Sequence, residues 1–273
     1  MRIHCLLLLL CSLGASLAAK PNVVFFFIDD MGWTDLGFMG SKYYESPHTD
    51  KLAKEGMVFM NAYAAAPNCA PSRACLMSGQ YSPRHGVYTV ANSDRGSSKD
   101  RKLIPTKNTI HLAEEFVTMG EALQAGGYVT ATMGKWHLGD DPTTQGFDVN
   151  VAGKTWGSPS GGGYHSPYKY PNLEQKEKGE YLTDRLGEEA CKFIETNQEK
   201  PFFLYLTHYA VHTPIQAKPE LKKKYQAKKP TERHKNAAYA AMIESTDDSV
   251  GSVLGQLDEL GLSENTLVLF FSD

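Results

Sequence analysis

The sequence has no strong charge bias, few cysteines and no long apolar run outside its first residues. Its 273 residues include 28 Lys and Arg against 31 Asp and Glu, a formal net charge of −3, so no basic surface for a nucleic acid is expected. No later run reaches the roughly 18 apolar residues of a membrane-spanning helix. The five cysteines lack zinc-ligand spacing. With 41% hydrophobic residues, the chain is expected to form one sizeable domain.

The first residues have the pattern of a secretory signal peptide. Arg2 and His4 give a positively charged start, residues 6–10 are all leucine, and residues 15–19, Ala-Ser-Leu-Ala-Ala, supply small residues for cleavage. A lipid anchor on Cys11 is a weaker alternative, because leucines and not small residues precede that cysteine. We predict a signal peptide over 1–19, a single domain over 20–273, and export to a periplasmic, extracellular or lumenal space.

Loss of this segment leaves three cysteines, Cys69, Cys75 and Cys191. In an oxidising compartment Cys75 and Cys191 can form a disulfide, and two buried free thiols are the alternative.

Short apolar runs alternate with helical patterns, which predicts an α/β fold with a mostly parallel central sheet flanked by helices. The predicted strands are 22–28, 129–133, 202–207 and 266–271. The predicted helices are 49–55, 72–77, 118–124, 181–196 and 236–260.

Two polar segments, 91–107 and 151–179, are predicted to be long loops, which often form binding surfaces. Aromatic residues of the second loop can stack on sugars, although simple packing is the commoner role; they are Tyr164, His165, Tyr168 and Tyr170. The lysines at 222–224 and 228–229 are predicted to form a solvated face.

Each predicted strand runs into polar residues that could carry chemistry. In open α/β sheets ligands bind beyond the carboxyl ends of the strands, so these groups are expected to share one crevice. They are Asp29 and Asp30 after the first strand, Lys135 and His137 after the second, His212 after the third, and Asp273 after the fourth.

The acids of this set suit a metal ion. Asp29 and Asp30 are adjacent, and like charges side by side are costly unless a cation or hydrogen-bond donors neutralise them. The alternative is a pair of turn or capping acids. With Asp273 added, three carboxylates fit a hard divalent cation, and flexible geometry favours Ca²⁺ while leaving Mg²⁺ possible.

The basic residues of this set suit an anion. A single His or Lys beside a strand is usually structural, but Arg73, Lys135, His137 and His212 are all predicted at one crevice. The N-terminus of the helix that begins near Cys69 also favours a bound negative charge. A tetrahedral sulfate is the expected occupant.

Residues 69–79 read Cys-Ala-Pro-Ser-Arg-Ala-Cys-Leu-Met-Ser-Gly. The part from Cys69 to Arg73 alone is also compatible with a reduced cysteine opening a helix that has Pro71 in its first turn. The longer string, with the upstream Asp29-Asp30, resembles the type I sulfatases of the alkaline-phosphatase-like superfamily. The resemblance runs from Pro21 to the last residue.

This resemblance implies a role for each matching position. The metal ligands are Asp29, Asp30, Asp273 and the Cys69 position, joined by an Asn that follows the last Asp. A formylglycine-generating enzyme converts Cys69 to formylglycine, whose hydrate is the nucleophile. Arg73, Lys135 and His137 steady it, and His212 contacts the sulfate and helps to protonate the leaving oxygen. His85 and His208 also match family positions and are expected to be structural.

The chemistry implied by the resemblance has two stages. One hydroxyl of the hydrate, with Asp273 as base, attacks sulfur while the surrounding cations stabilise the charge, which gives a covalent sulfate. The second hydroxyl, deprotonated by a base such as His137, expels sulfate as the aldehyde re-forms.

The sequence stops at Ser272-Asp273, where the family continues with Asn-Gly, a further lysine and a C-terminal subdomain. The region 20–273 is therefore predicted to be a truncated N-terminal catalytic domain. Three functions compete: a sulfuric ester hydrolase acting on a sulfated small molecule or carbohydrate, a phosphate or phosphonate monoester hydrolase, and an incompetent fragment that only binds ions.

Overall fold

The computed structural model describes residues 20–273, so the predicted signal peptide lies outside the described residues. Its centre is one parallel sheet of five strands in the order β3-β2-β4-β1-β5. The strands are β1 (Asn22–Ile28), β2 (Val129–Gly134), β3 (Val149–Val151), β4 (Phe202–Thr207) and β5 (Thr266–Ser272). This sheet confirms the predicted fold class, and four of its strands were predicted. β3 was not, because three residues are too few to show a periodic pattern.

Within residues 20–273, seven α-helices accompany the sheet. They are α1 (Pro47–Glu55), α2 (Cys69–Ser78), α3 (Ser82–His85), α4 (Met119–Ala125), α5 (Leu182–Asn197), α6 (Pro219–Ala227) and α7 (Ala237–Glu259). Three single turns of 3-10 helix lie at Gly37–Met39, Pro142–Gln145 and Ser263–Asn265. The prediction missed the short α3 and the lysine-rich α6. No helix among residues 20–273 is long and apolar enough to cross a membrane.

The alternation of side chains along β1 explains why both faces of the sheet are covered. Val24, Phe26 and Ile28 join one apolar cluster, with residues of α5 and α7. Phe25 and Phe27 join the other, with residues of α2 and α4. Strands buried on both faces read as continuous apolar runs, which is how β1 and β4 appear in the sequence.

The two predicted long loops differ in their packing. Tyr164, Tyr168 and Tyr170 of the second loop are at most 6% exposed and belong to the apolar cluster under α5 and α7. The prediction that these three tyrosines could stack on sugars is therefore wrong, and the alternative, that they pack in the protein interior, is confirmed. In the first loop Leu103 and Ile104 are 84% and 97% exposed.

The three cysteines of the described region are free thiols. The Cys75 sulfur lies 3.4 Å from Nε2 of His85. α2, which carries Cys75, and Cys191 on α5 lie on opposite faces of the sheet. The disulfide alternative is therefore wrong, because the sheet separates its two partners.

The predicted solvated lysine face is only partly correct. Lys222 and Lys223 are exposed, but Lys224 and Lys228 both pair with Glu45, and Lys224 also pairs with Glu244. These two lysines attach α6 to α7 and to the segment before α1.

Candidate active site

The carboxyl ends of the strands bring the predicted site residues to one edge of the sheet. Backbone hydrogen bonds join Asp29, just after β1, to the segment after β4: its N–H donates to Ala210 (3.0 Å), and its carbonyl accepts from Val211 (2.7 Å). This pairing places His212 beside Asp30. The N–H of Asp273, after β5, donates to the Ile28 carbonyl (3.3 Å).

Asp29, Lys135 and Arg73 form a buried ionic group, here called the inner cluster, and each is at most 1% exposed. The Lys135 ammonium donates to both Asp29 oxygens, at 2.8 and 2.7 Å. Nη2 of Arg73 donates to Oδ1 of the same carboxylate at 3.0 Å. Buried charges persist only when they are paired in this way, so Asp29 holds both cations at the strand ends.

Arg73 is the fifth residue of α2, and its side chain extends from there into the inner cluster. Its Nη1 donates to the Lys135 carbonyl at 2.8 Å and to the Thr207 hydroxyl. Its guanidinium carbon lies 4.7 Å from the centre of the Phe27 ring. Sequence reasoning placed Thr207 among the polar residues at the strand ends but assigned it no role, because a threonine closing a strand has no distinguishing pattern.

Asp273 completes the buried part of the site. Its Oδ1 accepts the Asp30 N–H at 3.0 Å, and its Oδ2 lies 3.4 Å from Nε of Arg73. Neither Oδ2 of Asp273 nor Nε of Arg73 has a hydrogen bond within the described residues. Burial raises the pKa of Asp273, and the charge of Arg73 opposes this rise.

Asp30 and His212, here called the outer pair, lie at the mouth of the site. Their side chains are 53% and 21% exposed, and Nε2 of His212 is 3.6 Å from Oδ2 of Asp30. Asp30 adopts φ = 57°, in the left-handed region that aspartate tolerates better than most residues. Asp29, Asp30 and His212 offer ligand atoms within 4.8 Å of one another.

These carboxylates fit a divalent cation. The side chains of Asp29, Asp30 and Asp273 bring three negative charges against the two positive charges of Arg73 and Lys135, so one charge is left over. Oδ2 of Asp273 is a buried acceptor with no hydrogen-bond donor in the described region, and all three acids supply the oxygen ligands that Ca²⁺ and Mg²⁺ prefer.

His137 faces the same site from the segment after β2. It adopts φ = 65°, and its N–H donates to the Lys154 carbonyl at 2.9 Å. Its ring lies against Gly157, where a β-carbon would come within 2.5 Å of it. Burial, helped by Lys135 and Arg73, lowers the pKa of His137 to about 3, so the ring is neutral at physiological pH.

Cys69 is the first residue of α2 and is 7% exposed. Burial raises the pKa of its thiol, and the charge of Lys135 opposes that rise. Asp29, Arg73 and Asp273 also act on the thiol through their charges. A thiol with a raised pKa is a poor nucleophile, so unmodified Cys69 is chemically quiet at neutral pH.

The two histidines expected to be structural make contacts suited to that role. Nε2 of His208 lies 3.1 Å from the Ser249 hydroxyl of α7, and burial lowers the pKa of His208 to about 3. His85 contacts Cys75 and accepts the Val87 N–H at Nδ1.

All the predicted site residues therefore lie at one sheet edge. The sequence analysis assigned the acids to a metal ion and the basic residues to an anion, but in the structure acids and basic residues also contact one another. Lys135 and Arg73 bind Asp29 directly, and His212 lies beside an acid. Sequence reasoning did not identify the Lys154–Gly157 backbone that holds His137, nor Tyr239, whose hydroxyl lies 3.3 Å from the Asp30 carbonyl.

Known proteins share both this sequence and this fold. The chain is 35% identical to a sulfatase of Formosa agariphila over 93% of its length and 57% of that protein. It is 34% identical to the N-acetylgalactosamine-6-sulfatase of Mus musculus, over 98% of this chain and 53% of the relative. It thus spans about half the length of these curated relatives.

The crystal structure of Ps i-CgsB aligns with 93% of this chain and 58% of its own, with 32% identity and a TM-score of 0.76. The family model named Sulfatase matches residues 21–273, which include every residue of the site described above. The chain belongs to the sulfatase family.

Proposed function

We propose that this chain carries the catalytic centre of a sulfuric ester hydrolase whose nucleophile is formed from Cys69. One observation carries the proposal: Cys69 opens a buried helix whose Arg73 joins Lys135 on Asp29 at the carboxyl edge of the sheet. One short motif thus supplies both a convertible cysteine and a cation of the anion site.

The basic residues would bind the sulfate ester. Arg73 and Lys135 carry fixed positive charge, and Nε of Arg73 is a buried donor without a hydrogen bond in the described region. Preorganised donors of this kind stabilise negative charge that grows on sulfate oxygens in the transition state, since they need no reorganisation as the reaction proceeds.

The net reaction breaks the bond between sulfur and the alcohol oxygen. The alcohol oxygen would take a proton from His212, and the sulfate would leave with one oxygen derived from water. The hydrated formylglycine would supply the attacking oxygen. His137, held neutral by burial and by Lys135 and Arg73, would accept a hydrogen bond from the second hydroxyl of the hydrate during release of sulfate; a pKa of about 3 makes it a weak base.

The metal site is proposed at Asp29, Asp30, Asp273 and the Cys69 position, with Ca²⁺ favoured over Mg²⁺. A bound cation would polarise the sulfate and the attacking hydroxyl. The side chain of Asp30 is half exposed and has no cationic lysine or arginine partner within residues 20–273, so it is the carboxylate most available to such an ion.

Sulfated carbohydrate is the proposed substrate class. One relative is named an N-acetylgalactosamine-6-sulfatase, and Ps i-CgsB has been solved in complex with k-i-k-neocarrahexaose, at 32% identity to this chain. The same proposal includes export, from the pattern of residues 1–19, and a formylglycine-generating enzyme as the maturation partner.

The first test is the mass of two tryptic peptides from protein made in a host that contains the modifying enzyme. Residues 55–73 contain Cys69, and residues 74–84 contain Cys75 as a matched control. We expect the first peptide to show the loss that replaces CH2SH by CHO, and the second to retain its thiol. An unmodified first peptide would contradict the proposed nucleophile.

A turnover assay separates the two ester classes. Aryl sulfate should be cleaved faster than aryl phosphate, Cys69→Ala should abolish the cleavage, and Cys75→Ala should retain it. A preference for aryl phosphate would instead support the phosphate or phosphonate ester hydrolase. Activity surviving in Cys69→Ala would remove Cys69 from the mechanism.

A further inference from the structure

Asp30 is held mainly through its backbone. Its side chain contacts only His212 among the ion pairs of the described residues, whereas its N–H donates to Asp273 and its carbonyl lies 3.3 Å from the Tyr239 hydroxyl. The left-handed conformation costs a non-glycine residue about 1 kcal/mol or more. Contacts to this backbone therefore decide where the Asp30 carboxylate points.

Tyr239 lies in the first turn of α7 and connects that helix to the turn after β1. Its hydroxyl is 2.7 Å from Oδ2 of Asp35, the nearer of its two acceptors, and 3.3 Å from the Asp30 carbonyl. The same Asp35 oxygen accepts the Gly32 N–H at 3.0 Å. One hydroxyl thus touches both ends of the segment that carries Asp30.

Asp35 is fixed in turn by His234. The Asp35 side chain is 11% exposed, and its Oδ1 lies 3.5 Å from Nε2 of His234. The other ring nitrogen of His234 is 3.2 Å from the Ser41 hydroxyl, and the ring stacks on Tyr44 with centroids 4.5 Å apart. This buried arrangement has little freedom to move.

We propose that Tyr239 and Asp35 are positioning residues that hold the Asp30 backbone so that its carboxylate faces the candidate metal site. This inference rests on the proposed function, because it assumes that Asp30 is a ligand. Neither residue is one of the proposed metal ligands. Hydrogen-bond partners behind a metal ligand commonly change metal affinity by about 10- to 100-fold when they are removed.

The test compares Ca²⁺ affinity and thermal stability in the 273-residue chain. Tyr239→Phe removes one hydroxyl and keeps the ring. Tyr44→Phe is the matched control, because it removes a neighbouring tyrosine hydroxyl from the same aromatic group but not from the contacts to Asp35 or Asp30. Calorimetric titration with Ca²⁺ gives the Kd, and thermal unfolding without Ca²⁺ gives the Tm.

We expect Tyr239→Phe to raise the Kd about tenfold or more, while its Tm falls by a few degrees below that of Tyr44→Phe because the buried Asp35 carboxylate loses one hydrogen-bond donor. Equal Kd values in the two variants would overturn the inference. Asp35→Asn serves as a second variant if Tyr239→Phe does not fold, and it should also raise the Kd; an unchanged Kd there would likewise overturn the inference.

Asp29→Asn distinguishes this failure from failure of the metal site itself. If the unaltered chain binds no Ca²⁺, or if Asp29→Asn leaves the Kd unchanged, the proposed site is wrong and the positioning role is overturned with it. If Asp29→Asn weakens binding but Tyr239→Phe does not, the site stands and only the positioning role is wrong.

Discussion

Asp29 and Asp30 are neighbours in the sequence, but they differ in burial and in the contacts that fix their carboxylates. Asp29, in the inner cluster, is fully buried and is held through its side chain by Lys135 and Arg73. Asp30, in the outer pair, is half exposed and is held through its backbone. In the inner cluster the contacts that stabilise the fold also hold the groups of the proposed anion site. In the outer pair the side chains are partly exposed, so we expect their substitution to have little effect on the fold.

The largest expected effect is on stability in the inner cluster. Among residues 20–273, Lys135→Met leaves the buried Asp29 with Arg73 as its one cationic partner, and removing one member of a buried ion pair costs about 3 kcal/mol or more. Urea unfolding should therefore show this loss in the free energy of unfolding. A loss below 1 kcal/mol would mean that the inner cluster does not stabilise the fold.

Lys51→Met is the matched control for this comparison. Lys51 pairs with Glu55 at 3.9 Å, and both side chains are more than 60% exposed. Exposed pairs contribute about 0 to 1 kcal/mol, so this variant should unfold at nearly the same urea concentration as the original chain.

An intermediate effect is expected from acid. His208 has a pKa of about 3 because burial disfavours its charged form, against an ordinary value of about 6.5 in the unfolded chain. The unfolded state then binds more protons below pH 6.5, so stability is full above that pH and falls as the pH drops towards 3. The free energy of unfolding should decrease by about 2 kcal/mol for this group between pH 7 and pH 5.

His208→Gln should reduce this pH dependence, while Ser249→Ala should retain it, since the second change removes the hydrogen-bond partner and leaves the buried imidazole. Chemical unfolding at both pH values measures the difference. Equal slopes for His208→Gln and the unaltered chain would show that His208 does not set the acid sensitivity.

The smallest effect on stability is expected in the outer pair. Asp30→Asn keeps a residue type that tolerates the left-handed conformation and changes an exposed side chain, so the free energy of unfolding should move by about 0.5 kcal/mol or less. Ca²⁺ affinity should fall because one charged ligand is lost. If Asp30→Asn destabilised the fold as much as Lys135→Met, the outer pair would contribute to stability as the inner cluster does, and the proposed difference between them would be wrong.

Much of this arrangement could be predicted from local sequence. The parallel sheet follows from apolar runs such as 22–28 and 202–207, and the shared crevice follows from the rule that ligands bind at the carboxyl ends of strands. The Cys69–Arg73 motif then identified the helix that enters the crevice. These predictions needed only patterns within a few residues of one another.

The rest depended on contacts between distant segments. Nothing near Tyr239 marks it as a partner of Asp35, because their contact arises from how α7 packs against the turn after β1. Gly157 likewise looks like any loop glycine until the His137 ring is seen against it. The types and spacing of residues in the sequence do not reveal contacts between segments that are far apart along the chain.

The position of β1 in the sheet also has a consequence for how the chain folds. β1 lies between β4 and β5, and Asn22 meets Thr266, 244 residues further along. Pairing over such separations slows folding, because the entropy of closing a long loop is lost before contacts form. During synthesis the apolar strand Asn22–Ile28 is therefore made long before either neighbour exists, and for that time its unpaired edges and apolar side chains are open to aggregation.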